Sequence, residues 1–456
     1  MKSRVFRLFP ILFFGVVISL FGCTKNDKPG GDSDDAATVK KFEKAMMEQY
    51  YYWSDQMSVP TNASSYTVYT YFDALLVPKD HWSWMCDGAA YAESETGVST
   101  SYGFHFKQPV NYYEDYDVYI AYVDKQSPLG KAGVTRGWRL DAIKGIPIKT
   151  YISNGTLKDE IALPSNNFTF TDLDGESVEL NLSQASFKSS TVIGTQVYTN
   201  ANCSLLNPST KVGYINYVSF NSNLQNEILD ALSEMKSAGV NELILDLRYN
   251  GGGDLSLCTS VASLLAPAGA DGKTFLHIAH NAKQQSEDFY KKIARTANSF
   301  NLNRLYVITT GSTASASESI INGLSPYIDV ITVGETTYGK PNGMYLILYP
   351  NGAKSYTDVD YAFYPICFYC LNANEKADFE NGIKPTHTRY DDPYHNFDTS
   401  EDLIYSTLYL IANGSMPPAP SKPGDKSTKL PGESNGVIQT PESAPGYGMA
   451  TLKTRF

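Results

Sequence analysis

Two apolar stretches that break abruptly into small residues constrain this chain more than anything else in it. One, Arg304-Leu-Tyr-Val-Ile-Thr-Thr310, has β character and stops at Gly311. It gives way to the small residues 312–317, after which Ile320, Ile321 and Leu324 recur at helical spacing. The other, Glu242-Leu-Ile-Leu-Asp246-Leu-Arg248, runs into Tyr249-Asn250-Gly251-Gly252-Gly253. Ahead of it, residues 211–218 read as a strand and residues 223–238 as an amphipathic helix, and residues 401–412 read as a closing helix. Helices alternating with buried strands predict an α/β core.

The small residues carry chemistry. In Thr313-Ala-Ser315-Ala-Ser317-Glu318, Ser315 falls at a strand-to-helix junction, where backbone N–H groups lack partners and the helix dipole favours developing negative charge. Lys340 follows in Tyr338-Gly339-Lys340. A serine hydroxyl is a weak nucleophile and needs a base, and a lysine serves once burial disfavours its charged form. Ser315 is the expected nucleophile and Lys340 the expected base; Ser317 is the alternative nucleophile, its structural role being to cap the helix beside Glu318. Three consecutive glycines let backbone N–H groups approach a ligand, so Gly252 and Ala316 are the expected oxyanion donors. Asp246 and Arg248 read as a pair that braces the glycine turn.

The order Leu245-Asp-Leu-Arg-Tyr-Asn-Gly-Gly-Gly253, then Thr313-Ala-Ser-Ala-Ser-Glu318, then Gly334-Glu-Thr-Thr-Tyr-Gly-Lys340 resembles the carboxy-terminal processing, or tail-specific, serine proteases. The resemblance implies a multidomain α/β protein with a ClpP/crotonase-like protease core. It implies a serine endopeptidase with Ser315 as nucleophile and Lys340 as base, working without a metal or cofactor. Many members carry a glutamine four residues after the lysine; here that position is Met344, which reduces the family triad to a dyad. Upstream, Tyr119-Ile-Ala-Tyr-Val-Asp124 and the stretch from Ser127 to Gly145 resemble a PDZ domain, whose carboxylate loop would lie at Tyr102-Gly103-Phe104-His105-Phe106. Such domains add an extended peptide to a sheet edge and grip its carboxylate with N–H groups. Gly103 and Phe104 are therefore expected to bind protein or peptide substrates with free C-termini. Asp80-His-Trp-Ser83 resembles the short Asp-x-x-Ser segment ahead of the family's PDZ domain, and Gly382-Ile-Lys-Pro385 its Gly-Ile-x-Pro strand.

The N-terminus sets the expected compartment. A basic head, Met1-Lys-Ser-Arg4, precedes an apolar run closed by Leu20-Phe21-Gly22-Cys23, the pattern of a secretion signal rather than a lasting membrane span. The ending resembles a bacterial lipobox, so Cys23 is the expected lipidation site and the cell envelope the expected location; ordinary signal cleavage nearby is the alternative. The remaining cysteines, Cys86, Cys203, Cys258, Cys367 and Cys370, are odd in number, so at least one thiol stays unpaired. Cys367 and Cys370 have redox-motif spacing but lie in an aromatic strand-like segment, which favours packing. No zinc-ligand spacing occurs. A net charge of −11 excludes the basic surface of a nucleic-acid binder.

The expected division of the 456 residues is a signal peptide over 1–22, a tether over 23–37, a helical region over 38–95 and a PDZ-like domain over 96–185. A protease core over 186–413 and a Pro/Ser/Gly-rich tail over 414–456 complete it. In the helical region, residues 39–53 place Phe42, Met46 and Tyr50 on one helical face, and residues 66–76 read as a second helix. Competing motifs are weaker: Ser233-Glu-Met-Lys236 lacks a Lys-Thr-Gly partner, and His277, His280 and His387 lie in no glycine-framed loop. Two other readings stay open. One is a peptide- or ligand-binding envelope lipoprotein whose catalysis is weakened by Met344; the other is a hydrolase of a non-peptide acyl substrate. The oligomeric state is not written in the sequence.

Overall fold

The computed structural model describes residues 34–418, apart from residues 97, 108–116, 351, 352, 354, 356 and 357. The signal segment, Cys23 and the tail beyond 418 lie outside the described residues. Among the described residues, no helix is long and apolar enough to cross a membrane.

A six-stranded sheet forms the centre, ordered Val192–Tyr198, Val212–Tyr217, Glu242–Asp246, Arg304–Thr309, Asp329–Gly334 and His387–Thr388; the first pair is antiparallel and the rest parallel. Successive side chains of a strand point to opposite faces, and the core divides accordingly. Leu243, Leu245, Leu305 and Val307 pack with the helices Gln225–Ser237, Leu255–Leu265 and Ala316–Leu324 on one face. Ile244, Tyr306 and Ile308 pack with the helix Asp402–Asn413 on the other. Strands buried on both faces read as continuous apolar runs, which is how the two key stretches look in the sequence. Because those two strands are parallel neighbours, their C-terminal ends open on the same side of the sheet, where open α/β sheets place their ligand sites.

A second, antiparallel sheet runs Phe289–Lys292, Thr274–His280, Ile366–Leu371, Asn342–Met344, and so seats the residues that follow Lys340. Cys367 and Cys370 lie on its Ile366–Leu371 strand; all five described cysteines are buried, and none of them is in a disulfide. Burial pushes the Cys370 thiol up to about 12, which fits packing rather than redox chemistry.

Several expectations need correction. The helix Asp34–Tyr50 begins inside the stretch expected to be tether, because Ala36 and Val39 already pack on the core. The region 38–95 is not a separate helical cap. It adds the strand Trp84–Asp87 to a sheet with Tyr361–Tyr364 and Ile347–Tyr349, and its Tyr51, Trp53, Phe72 and Trp82 belong to the same apolar cluster as the central sheet. Gly382 to Pro385 form no strand; Ile383 N–H donates to Thr337 Oγ1 at 2.7 Å, and the ladder to Gly334 is made two residues on by His387–Thr388.

The stretch expected to resemble a PDZ domain forms an antiparallel sheet ordered Phe104–Lys107, Val118–Val123, Arg139–Ile143, Ser165–Thr171, Ser177–Ser183. It has its own apolar cluster, which includes Phe104, Phe106, Ile120, Leu129, Leu140, Phe168 and Phe170. The short helix Pro128–Lys131 is capped by Ser127, whose Oγ accepts from Gly130 N–H at 3.1 Å.

One buried group weakens the fold. Glu43 is fully buried and neither carboxyl oxygen has a hydrogen-bond partner among the described residues. Burial first, with Asp73 adding and Lys40 opposing, raises its pKa to about 9. The protonated acid suits the folded site, so its contribution to stability is whole below about pH 4.5 and is lost as pH climbs toward 9. Glu43→Met is expected to raise stability at pH 8 by about 2 kcal/mol and to flatten the fall in Tm between pH 6 and 9. An unchanged pH dependence of Tm in thermal unfolding would refute this.

Candidate active site

The turn after Glu242–Asp246 and the turn after Arg304–Thr309 are stitched together by their small polar side chains. Thr313 Oγ1 donates to Leu247 O at 2.8 Å, Thr310 Oγ1 donates to Arg248 O, Ala314 N–H donates to Asn250 O at 3.0 Å and Ser317 Oγ to the same carbonyl at 2.9 Å. Ser317 is thus a tie between the two turns rather than the helix cap. Ser315 itself is the N-cap of Ala316–Leu324, with φ +56° and ψ −113°. A non-glycine residue held there stores about 1–3 kcal/mol of backbone strain, a feature that clusters at functional sites. Ala316, as the first helical residue, has an N–H with no partner in the helix ladder.

Gly252 lies against this turn. Its φ is +107°, and a Cβ there would come within 2.8 Å of Ser315 Cβ and 2.9 Å of Ala316 N, so only glycine allows the two turns to close. Its expected role as an oxyanion donor is not what the geometry presents: the Gly252 N–H donates to Asn250 Oδ1 at 2.8 Å. Asn250 also donates from Nδ2 to Tyr217 O at 3.0 Å. The asparagine side chain locks the glycine turn, and the N–H it captures faces its own loop.

Glu318 joins Ser315 to Lys340. Its Oε2 accepts from both Ser315 N–H and Lys340 N–H, each at 2.8 Å. Its Oε1 accepts from Thr337 Oγ1 at 2.5 Å and Gly339 N–H at 2.7 Å. Burial pushes this carboxyl upward while all four partners, each a donor, pull it back toward the ionised form. Tyr338 N–H adds a bond to Thr313 O at 2.9 Å. Residues far apart in sequence are thereby pinned through one oxygen atom.

Lys340 is 6% exposed. Burial lowers its amine to about 8, against the pull of Asp80, Glu318 and Cys370, so a useful fraction is neutral at mildly alkaline pH. Its Nζ donates to Met344 Sδ at 3.5 Å. Reading the sequence left Glu318 as a neighbour of a cap, although Ser315-x-x-Glu318 is the capping-box spacing, a signal sufficient to find it. Asn250 carried no comparable signal.

Asp246 and Arg248 pair as expected, with Nε 3.0 Å from both carboxylate oxygens. The pair is part of a larger buried set: Arg248 Nη1 donates to Asp391 at 2.9 Å and to Glu401 at 2.7 Å. Arg136, from the domain expected to be PDZ-like, donates to Tyr249 OH at 2.6 Å and to Asp391 at 2.9 Å. The glycine turn is thus braced from both sides. In that domain, Gly103 has φ +88° and packs against Ser127, but its N–H donates to Ser101 Oγ at 3.1 Å and the Phe104 ring stacks in the core, 4.2 Å from Phe106. Neither presents the free donor or side chain expected of it. What the loop leaves at the sheet boundary is the Phe104–Lys107 strand, which is the outermost strand of its sheet among the described residues. Ser233 is exposed and Lys236 Nζ donates to Ser299 O, so their motif spacing is incidental.

The structure thus presents an α/β sheet with a strained serine at a strand-to-helix turn and a buried lysine whose backbone is joined to that of the serine through a carboxylate. Residues 211–386 match Peptidase family S41. It is 31% identical over 143 residues to a carboxyl-terminal-processing protease of a Picosynechococcus species, covering 31% of this chain and 32% of that protein. It is 25% identical over 284 residues to the carboxy-terminal processing protease CtpA of Bacillus subtilis, covering 60% of this chain and 53% of that protein. The chain thus spans from about a third to about half of the length of these curated relatives. A crystal structure of a putative S41 protease from Bacteroides fragilis shares the fold, with a TM-score of 0.66 at 22% identity over 82% of this chain and 97% of that one.

Proposed function

We propose that this chain is a serine endopeptidase that cleaves proteins presented by their C-termini. The observation that carries the reading is the Glu318 carboxylate, which holds the backbones of Ser315 and Lys340 on one oxygen while burial lowers the lysine amine to about 8. In this reading Ser315 Oγ attacks the scissile carbonyl and its proton passes to Lys340 Nζ. Lys340 returns the proton to the leaving amine, and water then hydrolyses the serine ester. The Ala316 N–H stabilises the oxyanion, and the Gly252 N–H joins it only on release from Asn250. Residues 96–185 act as a PDZ-like domain, and substrate enters as a strand on the Phe104–Lys107 edge, which backbone hydrogen bonding alone can recruit. The chain is exported to the cell envelope and anchored there by a lipid on Cys23. A binding protein with weak catalysis is the second reading, favoured by Met344, whose thioether is a poor acceptor for the Lys340 amine.

The test uses the chain from Thr24 onward with an unfolded protein and matched peptides ending in a free acid or an amide, read by mass spectrometry. Cleavage is expected, with acid peptides cut about tenfold faster than amides. No cleavage moves the binding reading to the front, and equal rates for acid and amide remove the C-terminal preference.

A further inference from the structure

The Lys340 amine is poorly held by its own strand. Met344 Sδ, at 3.5 Å, is its hydrogen-bond partner among the described residues, and a thioether accepts weakly. Three groups from three other elements act on the amine: Asp80 from the segment before Trp84–Asp87, Glu318 from the helix Ala316–Leu324, and Cys370 from the strand Ile366–Leu371. Glu318 is saturated by its four donors. The burial that raises the Cys370 thiol keeps it protonated. Asp80 remains.

Asp80 is buried at 8% exposure, makes no ion pair at contact distance among the described residues, and is hydrogen-bonded by the Tyr51 hydroxyl. Its Oδ1 accepts from Trp82 N–H and Ser83 N–H at 2.9 Å each, and its Oδ2 accepts from Ser83 Oγ at 2.5 Å. Ser83 Oγ accepts in turn from Ile366 N–H at 2.8 Å, and Ile366 is the cross-strand partner of Met344. Contacts therefore run without a gap from Asp80 through Ser83, Ile366 and Met344 to Lys340 Nζ. A buried carboxylate is stabilised by a buried cation, and the Lys340 amine, whose charged form Asp80 favours, stands at the far end of this path of contacts.

We propose that Asp80 is the positioning residue for Lys340, the carboxylate that holds the buried amine in register with Ser315 where the side chain at 344 cannot. The role of Lys340 as base rests on the serine-peptidase reading; the pairing of Asp80 with Lys340 does not. The N-terminal segment is thereby part of the site.

The test follows the Lys340 amine directly, by NMR titration of the 15N-lysine-labelled Ser315→Ala chain with and without Asp80→Asn. An opposite charge favours the ammonium, so its removal should lower the titration midpoint from about 8 by about one pH unit. In the chain with Ser315 intact, the acid limb of kcat/KM is expected to move down by the same interval while the plateau falls about tenfold as the amine loses orientation. Adding Met344→Gln should recover the plateau without moving the limb back, and Asp80→Glu should keep the limb in place. Asp80→Ser, which keeps an oxygen for the Trp82 and Ser83 N–H groups, repeats the titration should the asparagine variant fold poorly. A midpoint unmoved in both variants overturns the proposal. A parent chain that cuts nothing overturns the protease reading alone, since the titration still reports on Asp80.

Discussion

Ser315→Ala and Lys340→Met are each expected to lower kcat/KM for peptide cleavage by at least about three orders of magnitude while leaving the protein folded. The serine is small and already at a strained backbone position, so alanine removes the hydroxyl with little change in packing. The lysine is buried, and methionine fills nearly the same volume without the cost of burying an amine, so Tm should hold or rise. The two variants should also be non-additive, because the base has nothing to act on without the nucleophile. Peptide cleavage followed by mass spectrometry, with Tm from calorimetry, checks both. Activity above a tenth of the parent in either variant removes that residue from the chemistry.

Glu318→Gln is expected to damage activity less than the first pair, but unlike them it should cost stability. The carboxylate accepts four hydrogen bonds from Ser315, Lys340, Gly339 and Thr337 and donates none. An amide keeps one acceptor oxygen but turns an NH₂ toward two of those donors, leaving buried N–H or O–H groups unsatisfied at about 1–3 kcal/mol each. The expected loss is about 3 kcal/mol, read as a fall in Tm of about 4 °C for a chain of this size. Because the serine and lysine backbones share one oxygen of this group, a shift of about 1 Å between them should follow, with about a hundredfold loss in kcat/KM. A variant with parental Tm and parental activity would show that Glu318 is not the link between the two turns.

Much of the centre of this molecule is legible in its residues. The apolar runs at 242–246 and 304–309 are continuous rather than alternating, which identifies strands covered on both faces. The small residues after each run mark turns that admit close backbone approach, and both turns lie where the pattern puts them. The Ser315-x-x-Glu318 spacing stands in the sequence, although the sequence reading gave the cap to Ser317; that this carboxylate also receives Lys340 and Gly339 depends on how the chain returns. Residues 38–95, read as a helical region, also hold the strand Trp84–Asp87, which was hidden for a related reason. Helical periodicity reports one apolar face and is silent about its partner, so it could not show that Trp82 and Trp84 pack into the central core beside a new strand pair.

Local order, then, belongs to the sequence: which segments are strands or helices, and which serine and lysine stand at their ends, follow from periodicity, backbone sterics and the scarcity of places where a helix N-terminus meets a glycine-rich turn. The tertiary structure decided which hydrogen-bond donors are free and which are spent. The Gly252 N–H goes to Asn250 and the Gly103 N–H to Ser101, although both were expected to face a ligand. It likewise decided that Glu318 and Lys340, 22 residues apart in the chain, meet in one buried place. Chain closure sets those neighbours, and burial turns their charges into strong interactions by removing the water that would otherwise screen them.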